Sequence, residues 1–216
     1  AMRLIAAPSS APALMHHLKH GGGAVRWAAL SALEAVREPT SLPGLMDVMQ
    51  TTKLDNLAFA VFKVVLRFPG VDRLQLAETM LMYPNELLSE DVLEAGIEST
   101  LLLATEVVAR GGNERVVPVL VELLTSGNKS LRVAAQSALQ EITSHAFDSD
   151  IGSRRAEERE AAIKAWRDFV ENTGSGPWAT WIRLGLAQAG YDLPDDVDTP
   201  EALETLIDAT GDRRGR

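Results

Sequence analysis

The chain has 216 residues, of which 46% are hydrophobic and 24% are charged, a composition that is ordinary for a folded protein. It contains no cysteine, which excludes disulfides, thiolate zinc sites and cysteine nucleophiles. No apolar run reaches the roughly 18 residues that a membrane-spanning helix needs, so we expect no direct membrane insertion. A cysteine-free chain suits the cytoplasm or the periplasm. We favour the cytoplasm unless a leader has been removed.

The net charge of −9 is unevenly distributed along the chain. Residues 1–80 carry 8 basic and 6 acidic side chains, whereas residues 81–216 carry 13 basic and 24 acidic ones. The stretch 192–212 has eight carboxylates and no base. Such a chain repels phosphate backbones, so we expect no nucleic-acid partner. The acidic stretch is typical of a solvated surface, and a functional role for it would require a basic segment of a partner.

The first predicted elements form a helical hairpin over 12–36. A helix of about ten residues starts near Pro12 and ends at Gly21, because proline marks helix starts and glycine marks helix ends. A second helix follows, with an apolar stripe at three- and four-residue steps formed by Val25, Ala28, Ala29, Ala32, Leu33 and Val36.

This hairpin is repeated at two other places in the sequence. At an offset of 106, "LRVAAQSALQEI" (131–142) matches "VRWAALSALEAV" (25–36) at six positions, and Pro118 matches Pro12. A weaker copy at an offset of 31 places Pro43 on Pro12. Further helices are predicted over 71–84, over 89–112 from an N-cap at Ser89 to Gly111-Gly112, and over about 154–172, 177–190 and 199–210.

A single hairpin of this size cannot bury its apolar stripe, whereas stacked copies bury a continuous one. We therefore predict an all-α fold without a β-sheet, a right-handed α-solenoid of about five stacked hairpins. Residues 1–176 would form the repeat array. Residues 177–216 would form a C-terminal helical cap with an acidic tail, within the same compact unit.

The pattern of an early proline, a short turn and "VR..A...L" opening the second helix resembles a HEAT repeat of the bacterial type. The match covers 12–68 and 118–142, and the segment 138–174 resembles the closing segment of such proteins, with Trp166 present and Phe169 in place of a second tryptophan. The family often pairs the repeat arginine with a turn aspartate. Here the turn positions hold His20 and Ser126, so the resemblance implies an incomplete ladder.

No constellation in the sequence indicates catalysis, a cofactor or a metal, and we predict that the protein is not an enzyme. His16 and His20 have a spacing that suits zinc or nickel, but a third ligand is absent nearby, and cations at a helix C-terminus are the commoner explanation. "DSDIG" (148–152) departs from a calcium loop, because Arg159 occupies the position that needs a glutamate.

The inner row of second helices leaves several side chains off the apolar stripe, facing a groove. We predict that these residues bind a protein or peptide partner, and they are Trp27, Glu34, Phe59, Phe62, Lys63, Gln136 and Gln140. Trp178 and Trp181 are a second candidate pair of interface anchors, although aromatics that seal the last hairpin are the commoner explanation.

Two functional classes are compatible with these features. The first is a non-catalytic scaffold that grips a protein or peptide along the concave face of a solenoid. The second is an enzyme on a helical-repeat frame, and the resemblance implies HEAT-like alkylpurine DNA glycosylases and bilin lyases as precedents. A glycosylase needs a basic groove, which the net charge opposes.

Overall fold

The computed structural model describes residues 7–112, 114–147, 151–173, 183–187, 190–192, 194 and 199–212. All regular structure within these residues is helical, which confirms the all-α prediction for them. None of the described helices combines the length and apolarity needed to cross a bilayer. The chain divides into two compact units, residues 1–107 and residues 108–216. The boundary predicted after residue 176 lies outside the described residues and stays a prediction.

The described part of the first unit is built from helices α1 to α8. Their bounds are α1 Ala11–His20, α2 Gly23–Val36, α3 Leu42–Thr51, α4 Asp55–Val65, α5 Arg73–Met82, α6 Pro84–Leu87, α7 Glu90–Ala95 and α8 Glu98–Val108. Helices α1 and α2 pack together as a hairpin, as do α3 and α4. These two hairpins are the ones that the sequence repeat predicts.

Both hairpins begin in the same way. A single 3₁₀ turn, Pro8–Ser10 or Pro39–Ser41, leads into the first helix, which carries a proline in its first two positions. Proline is favoured there because its fixed φ suits a helix and its missing N–H would have no intrahelical partner. The early proline of the repeat therefore marks where each hairpin starts.

The hairpins of the first unit stack on one another and on the helices that follow. Helix α1 lies against α3, α3 lies against α6, and α4 lies against α7. Polar contacts accompany the stacking: the Gln50 amide donates to the Glu86 carbonyl at 2.7 Å, and the Ser89 hydroxyl donates to the Thr52 carbonyl. Each hairpin is thus fixed to the next by both apolar and polar contacts.

The stretch 89–112 differs from the single helix predicted there. Ser89 is the N-cap, as expected, since its hydroxyl accepts from the Val92 N–H at 3.4 Å. The helix stops at Gly96, whose φ of +100° lies in a region that favours glycine, and α8 begins at Glu98. The prediction of one continuous helix was wrong because Gly96, at a positive φ, separates α7 from α8. Its predicted end near Gly111-Gly112 agrees with the last residue of α8, Val108.

The described part of the second unit contains α9 Val117–Leu123, α10 Lys129–Thr143, α11 Ala156–Thr173, a helical segment over 183–187 and α12 Pro200–Asp212. Helices α9 and α10 form the third repeat hairpin, preceded by a 3₁₀ turn over Glu114–Val116. Helix α11 packs against α9. The helices predicted at about 154–172 and 199–210 are confirmed, and most of the one at 177–190 lies outside the described residues.

Three of the six matched positions of the repeat belong to the cores of their hairpins. Ala29, Ala32 and Leu33 are fully buried in α2, and their counterparts in α10 are fully buried as well. Small side chains allow neighbouring helices to approach closely. The predicted stripe is displaced at its start, because Val25 is 36% exposed while Leu30 is buried.

Candidate functional site

The side chains that were predicted to face a groove on α2 and α4 differ in how exposed they are. Trp27 on α2 is 42% exposed, which is unusual for the largest side chain. Lys63 on α4 is exposed, and Phe59 is half-buried. Glu34 is also half-buried and pairs with Arg67 at 2.7 Å. This ion pair joins α2 to the residues that follow α4, an arrangement that the sequence did not predict.

Phe62 was predicted to face a groove, and this prediction is wrong. Its side chain has no exposed surface and is among the largest fully buried ones in the described residues. Leu57, Ala58, Val61, Val64 and Val65 are buried on the same helix. Because α4 is apolar on most of its circumference, the helical period alone did not identify its solvent face.

The predicted positions in the second unit are only partly described. Gln136 and Gln140 are half-buried on α10, where Val133 is 41% exposed. Trp178 and Trp181 lie outside the described residues. Tyr191, ten residues after Trp181 in the sequence, packs against a small cluster formed by Leu186, Ala202 and Ala209.

A cleft of about 690 Å³ lies in the first unit at the edge where the turns of the first two hairpins meet, and we call it the turn-edge cleft. It is lined by Leu18, Lys19, His20, Arg26, Asp47, Val48, Thr51, Thr52, Lys53, Leu54 and Leu57. The C-terminal ends of α1 and α3 form one part of it, and the N-terminal turns of α2 and α4 form the other. Its volume is in the range of sites that hold small ligands or a few side chains.

The floor of the turn-edge cleft is apolar and its rim is polar. Leu18 and Leu57 are buried, while Leu54 is 46% exposed and thus available at the rim. Lys19 pairs with Asp47 at 2.6 Å, and Lys53 pairs with Asp91 at 3.3 Å. Both pairs are partly exposed and contribute little to stability. The carboxylates of these ion pairs nevertheless balance the positive charges of Lys19 and Lys53.

Arg26 differs from the two lysines because it forms no ion pair with any described residue. One terminal nitrogen donates to the Lys19 carbonyl at 3.3 Å, at the open end of α1. The Nε atom is buried from solvent and has no hydrogen-bond partner among the described atoms. The guanidinium therefore retains unused donor capacity at the edge of the turn-edge cleft.

The matching arginine in the second unit has its donors occupied. Arg132 is buried, and its terminal nitrogen donates to the carbonyls of Ser126 at 2.8 Å and Gly127 at 3.1 Å. Its Nε donates to the Ile151 carbonyl at 3.3 Å. Both repeat arginines thus bind main-chain oxygens near the turn that precedes their helix. Arg132 also fixes the loop after α10.

The histidines of α1 lie close together without forming a metal site of three ligands. The rings of His16 and His20 are 4.9 Å apart, as a spacing of four residues on a helix implies. Over the described part of the chain, no group of three or more potential ligands from histidine, aspartate and glutamate comes together. Residues 148–150 of the predicted calcium-like loop lie outside the described residues.

Four aromatic rings lie in mutual contact in the second unit. The His145 ring stacks on Phe169 at 4.5 Å, and Phe147 meets Trp166 edge-on at 4.8 Å. Trp166 is fully buried, so the tryptophan singled out by the resemblance belongs to the core. Burial lowers the pKa of His145, because removal from water disfavours the charged imidazolium.

Comparison with protein-family models, with curated proteins and with solved structures finds no match for this chain.

Sequence reasoning missed the turn-edge cleft, although it considered two of its residues. His20 was weighed as a metal ligand, and Arg26 was identified as a repeat position. Six of the nine remaining lining residues come from the end of α3 and the turn 52–54, which carry no motif. A usable signal was present in Leu54, an apolar residue in a short polar turn between two predicted helices.

Proposed function

We propose that this protein is a non-catalytic interaction module that binds a polypeptide segment, and that its hairpins belong to a HEAT-like α-solenoid. The fold is supported by the three hairpins that share a 3₁₀ start and an early proline, and by the repeat arginine that the first and the third of them carry. Stacked helical repeats use their exposed helix faces as extended binding surfaces.

Exposed Trp27 carries the functional part of the proposal. A tryptophan that is 42% exposed on an otherwise small-residue helix leaves apolar surface in water, and tryptophan is enriched at the energetic centres of interfaces. Trp27 directly follows Arg26 near the start of α2, and Arg26 lines the turn-edge cleft whereas Trp27 does not. Aromatic and arginine side chains together are typical of protein interfaces.

Selection from a random peptide library displayed on phage tests this function directly. Enriched peptides would be synthesised with a fluorescent label, and their affinity measured by anisotropy for the wild type and for Trp27→Ala. Removing a central interface tryptophan costs about 2 kcal/mol or more, so we expect at least a roughly 30-fold loss of affinity.

Val133→Ala on α10 serves as the control, because Val133 has a similar exposed fraction in the other unit. Its affinity for the selected peptides should stay at the wild-type value. Failure to enrich any peptide, or equal affinities of wild type and Trp27→Ala, would contradict the proposed function. Circular dichroism should first show that both variants keep the wild-type helix content.

A further inference from the structure

We propose that the turn-edge cleft binds an acidic side chain of the partner polypeptide, with Arg26 as its principal contact. This proposal rests on the proposed function, because it specifies the chemistry of the segment that the first unit binds. It follows from three observations: the charges that line the cleft, the unused donors of Arg26, and the exposed leucine at the rim.

The charged side chains that line the turn-edge cleft are mostly basic. Lys19, Arg26 and Lys53 line it, and Asp47 is the one carboxylate among its lining residues. Asp47 is already paired with Lys19, and Lys53 is paired with Asp91, which does not line the cleft. A positive charge therefore remains at Arg26, in a chain whose total charge is −9. A carboxylate complements this local charge, whereas a basic segment would be repelled.

The charge and the free terminal donors of Arg26 favour an anion over a neutral acceptor. Its Nε is buried and has no partner among the described atoms, and its single hydrogen bond to Lys19 is long at 3.3 Å. Because the buried Nε is closed to a ligand, the terminal nitrogens are the donors that a partner can reach, and a planar carboxylate can accept from two guanidinium N–H groups at once. An Asp or Glu side chain would thus accept from the terminal N–H groups that the Lys19 carbonyl leaves free.

The apolar part of the turn-edge cleft indicates that the acid belongs to a peptide and not to a small anion. Leu54 is 46% exposed at the rim, above a floor that includes Leu18 and Leu57. A volume of about 690 Å³ far exceeds what an inorganic anion fills. It can accommodate an acidic side chain together with a neighbouring apolar one. The expected ligand is therefore a short segment in which Asp or Glu lies beside an apolar residue.

Two matched peptide libraries test this specificity. In the first, each fluorescently labelled peptide carries Glu or Asp beside a leucine or valine. In the second, Gln and Asn replace the acids, so that size and hydrogen-bonding capacity are similar and the charge is removed. Anisotropy is measured for the full chain at low and high salt. We expect the acidic peptides to bind at least about tenfold more tightly, with an advantage that decreases as salt is raised.

Variants locate the contact in the cleft. Arg26→Gln should remove the preference for acidic peptides, whereas Arg73→Gln, which removes the same charge from an exposed position on α5, should leave it unchanged. If Arg26→Gln does not fold, Leu54→Glu provides an independent test, because it places a competing carboxylate at the exposed rim. We expect it to weaken acidic peptides by at least about fivefold and neutral peptides much less.

Each outcome either supports or overturns the proposal. A preference for acidic peptides that disappears in Arg26→Gln or Leu54→Glu supports it. Equal binding of both libraries, lost in Trp27→Ala, would overturn this inference and leave the proposed function intact. An acidic preference unaffected by either cleft variant would place the contact elsewhere. Absence of binding by both libraries would overturn the inference, whereas the proposed function would then be decided by the phage selection alone.

Discussion

The two repeat arginines occupy equivalent positions, yet the structure predicts that they contribute unequally to stability. Arg132 is buried and makes three hydrogen bonds to carbonyl oxygens, while Arg26 is half-buried and makes one at 3.3 Å. Replacing each by methionine keeps an unbranched apolar side chain and removes only the guanidinium. The pair of variants therefore compares the same chemical change in two environments.

The loss of unfolding free energy in each variant depends on which carbonyl acceptors lose their hydrogen-bond donor. In Arg132→Met, water can reach the carbonyls of Ser126 and Gly127, which lie in an exposed turn, but Ile151 is only 1% exposed and its carbonyl stays buried. Loss of a charged hydrogen bond to such a group costs about 1.5–3 kcal/mol. Release of the buried charge offsets part of this cost. We expect a net loss of about 2 kcal/mol, and about 0.5 kcal/mol or less for Arg26→Met.

Urea unfolding followed by far-ultraviolet circular dichroism measures the two losses. A loss of 2 kcal/mol corresponds to a shift of the midpoint by about 1 M when the unfolding slope is near 2 kcal/mol per molar urea. Hydrogen exchange should locate the effect, with faster exchange near residues 126–127 and 151–153 in Arg132→Met. Equal losses in the two variants, or a greater loss in Arg26→Met, would refute this account of the repeat arginine.

Three further predictions concern single positions. Gly21→Ala should destabilise the first hairpin by about 1–3 kcal/mol in urea unfolding, because its new methyl would lie 2.5 Å from a backbone oxygen, whereas Gly22→Ala meets nothing within 4 Å and should be nearly neutral. Gly185→Ala should expose 183–187 to faster hydrogen exchange, since its methyl would collide with the Ser144 carbonyl oxygen; unchanged exchange would refute that contact. Because burial lowers the pKa of His145, the unfolded chain binds a proton first, so the free energy of unfolding should fall as the pH drops through about 6.5. One such proton gives a slope of at most about 1.4 kcal/mol per pH unit, reduced by partial solvation, and a His145→Phe variant that kept the wild-type slope would contradict this assignment.

The local features of the fold were predictable because they depend on neighbours in the sequence. Pro43 and Pro118 marked helix starts correctly, since the fixed φ of proline acts within one turn. Ser89 was identified as an N-cap because a side-chain cap also depends only on residues within the first turn of the helix. Gly96 was not recognised as a break, because a glycine inside an apolar period is compatible with a continuous helix unless φ is positive.

The candidate site was less predictable because it depends on how hairpins meet. Phe62 was misplaced since α4 is apolar on nearly every side, and only the neighbouring helices determine which side is buried. The turn-edge cleft brings together Lys19, Arg26 and Leu54, which no local pattern connects. Its charge depends on the pairing of Lys53 with Asp91, 38 residues apart. Contacts between residues so far apart in the sequence are determined by the packing of the hairpins and not by the periodicity of one helix.

The repeat arginines have a consequence for how freely the sequence of this protein can change. Both donate to main-chain oxygens, which every amino acid provides, so the side chains at His20 and Ser126 do not have to complement them. Saturation mutagenesis should find those turn positions tolerant while the arginines stay restricted. Hairpins held together in this manner could be duplicated or exchanged without matching substitutions in the turn, which would allow repeats to diverge rapidly in sequence while their geometry persists.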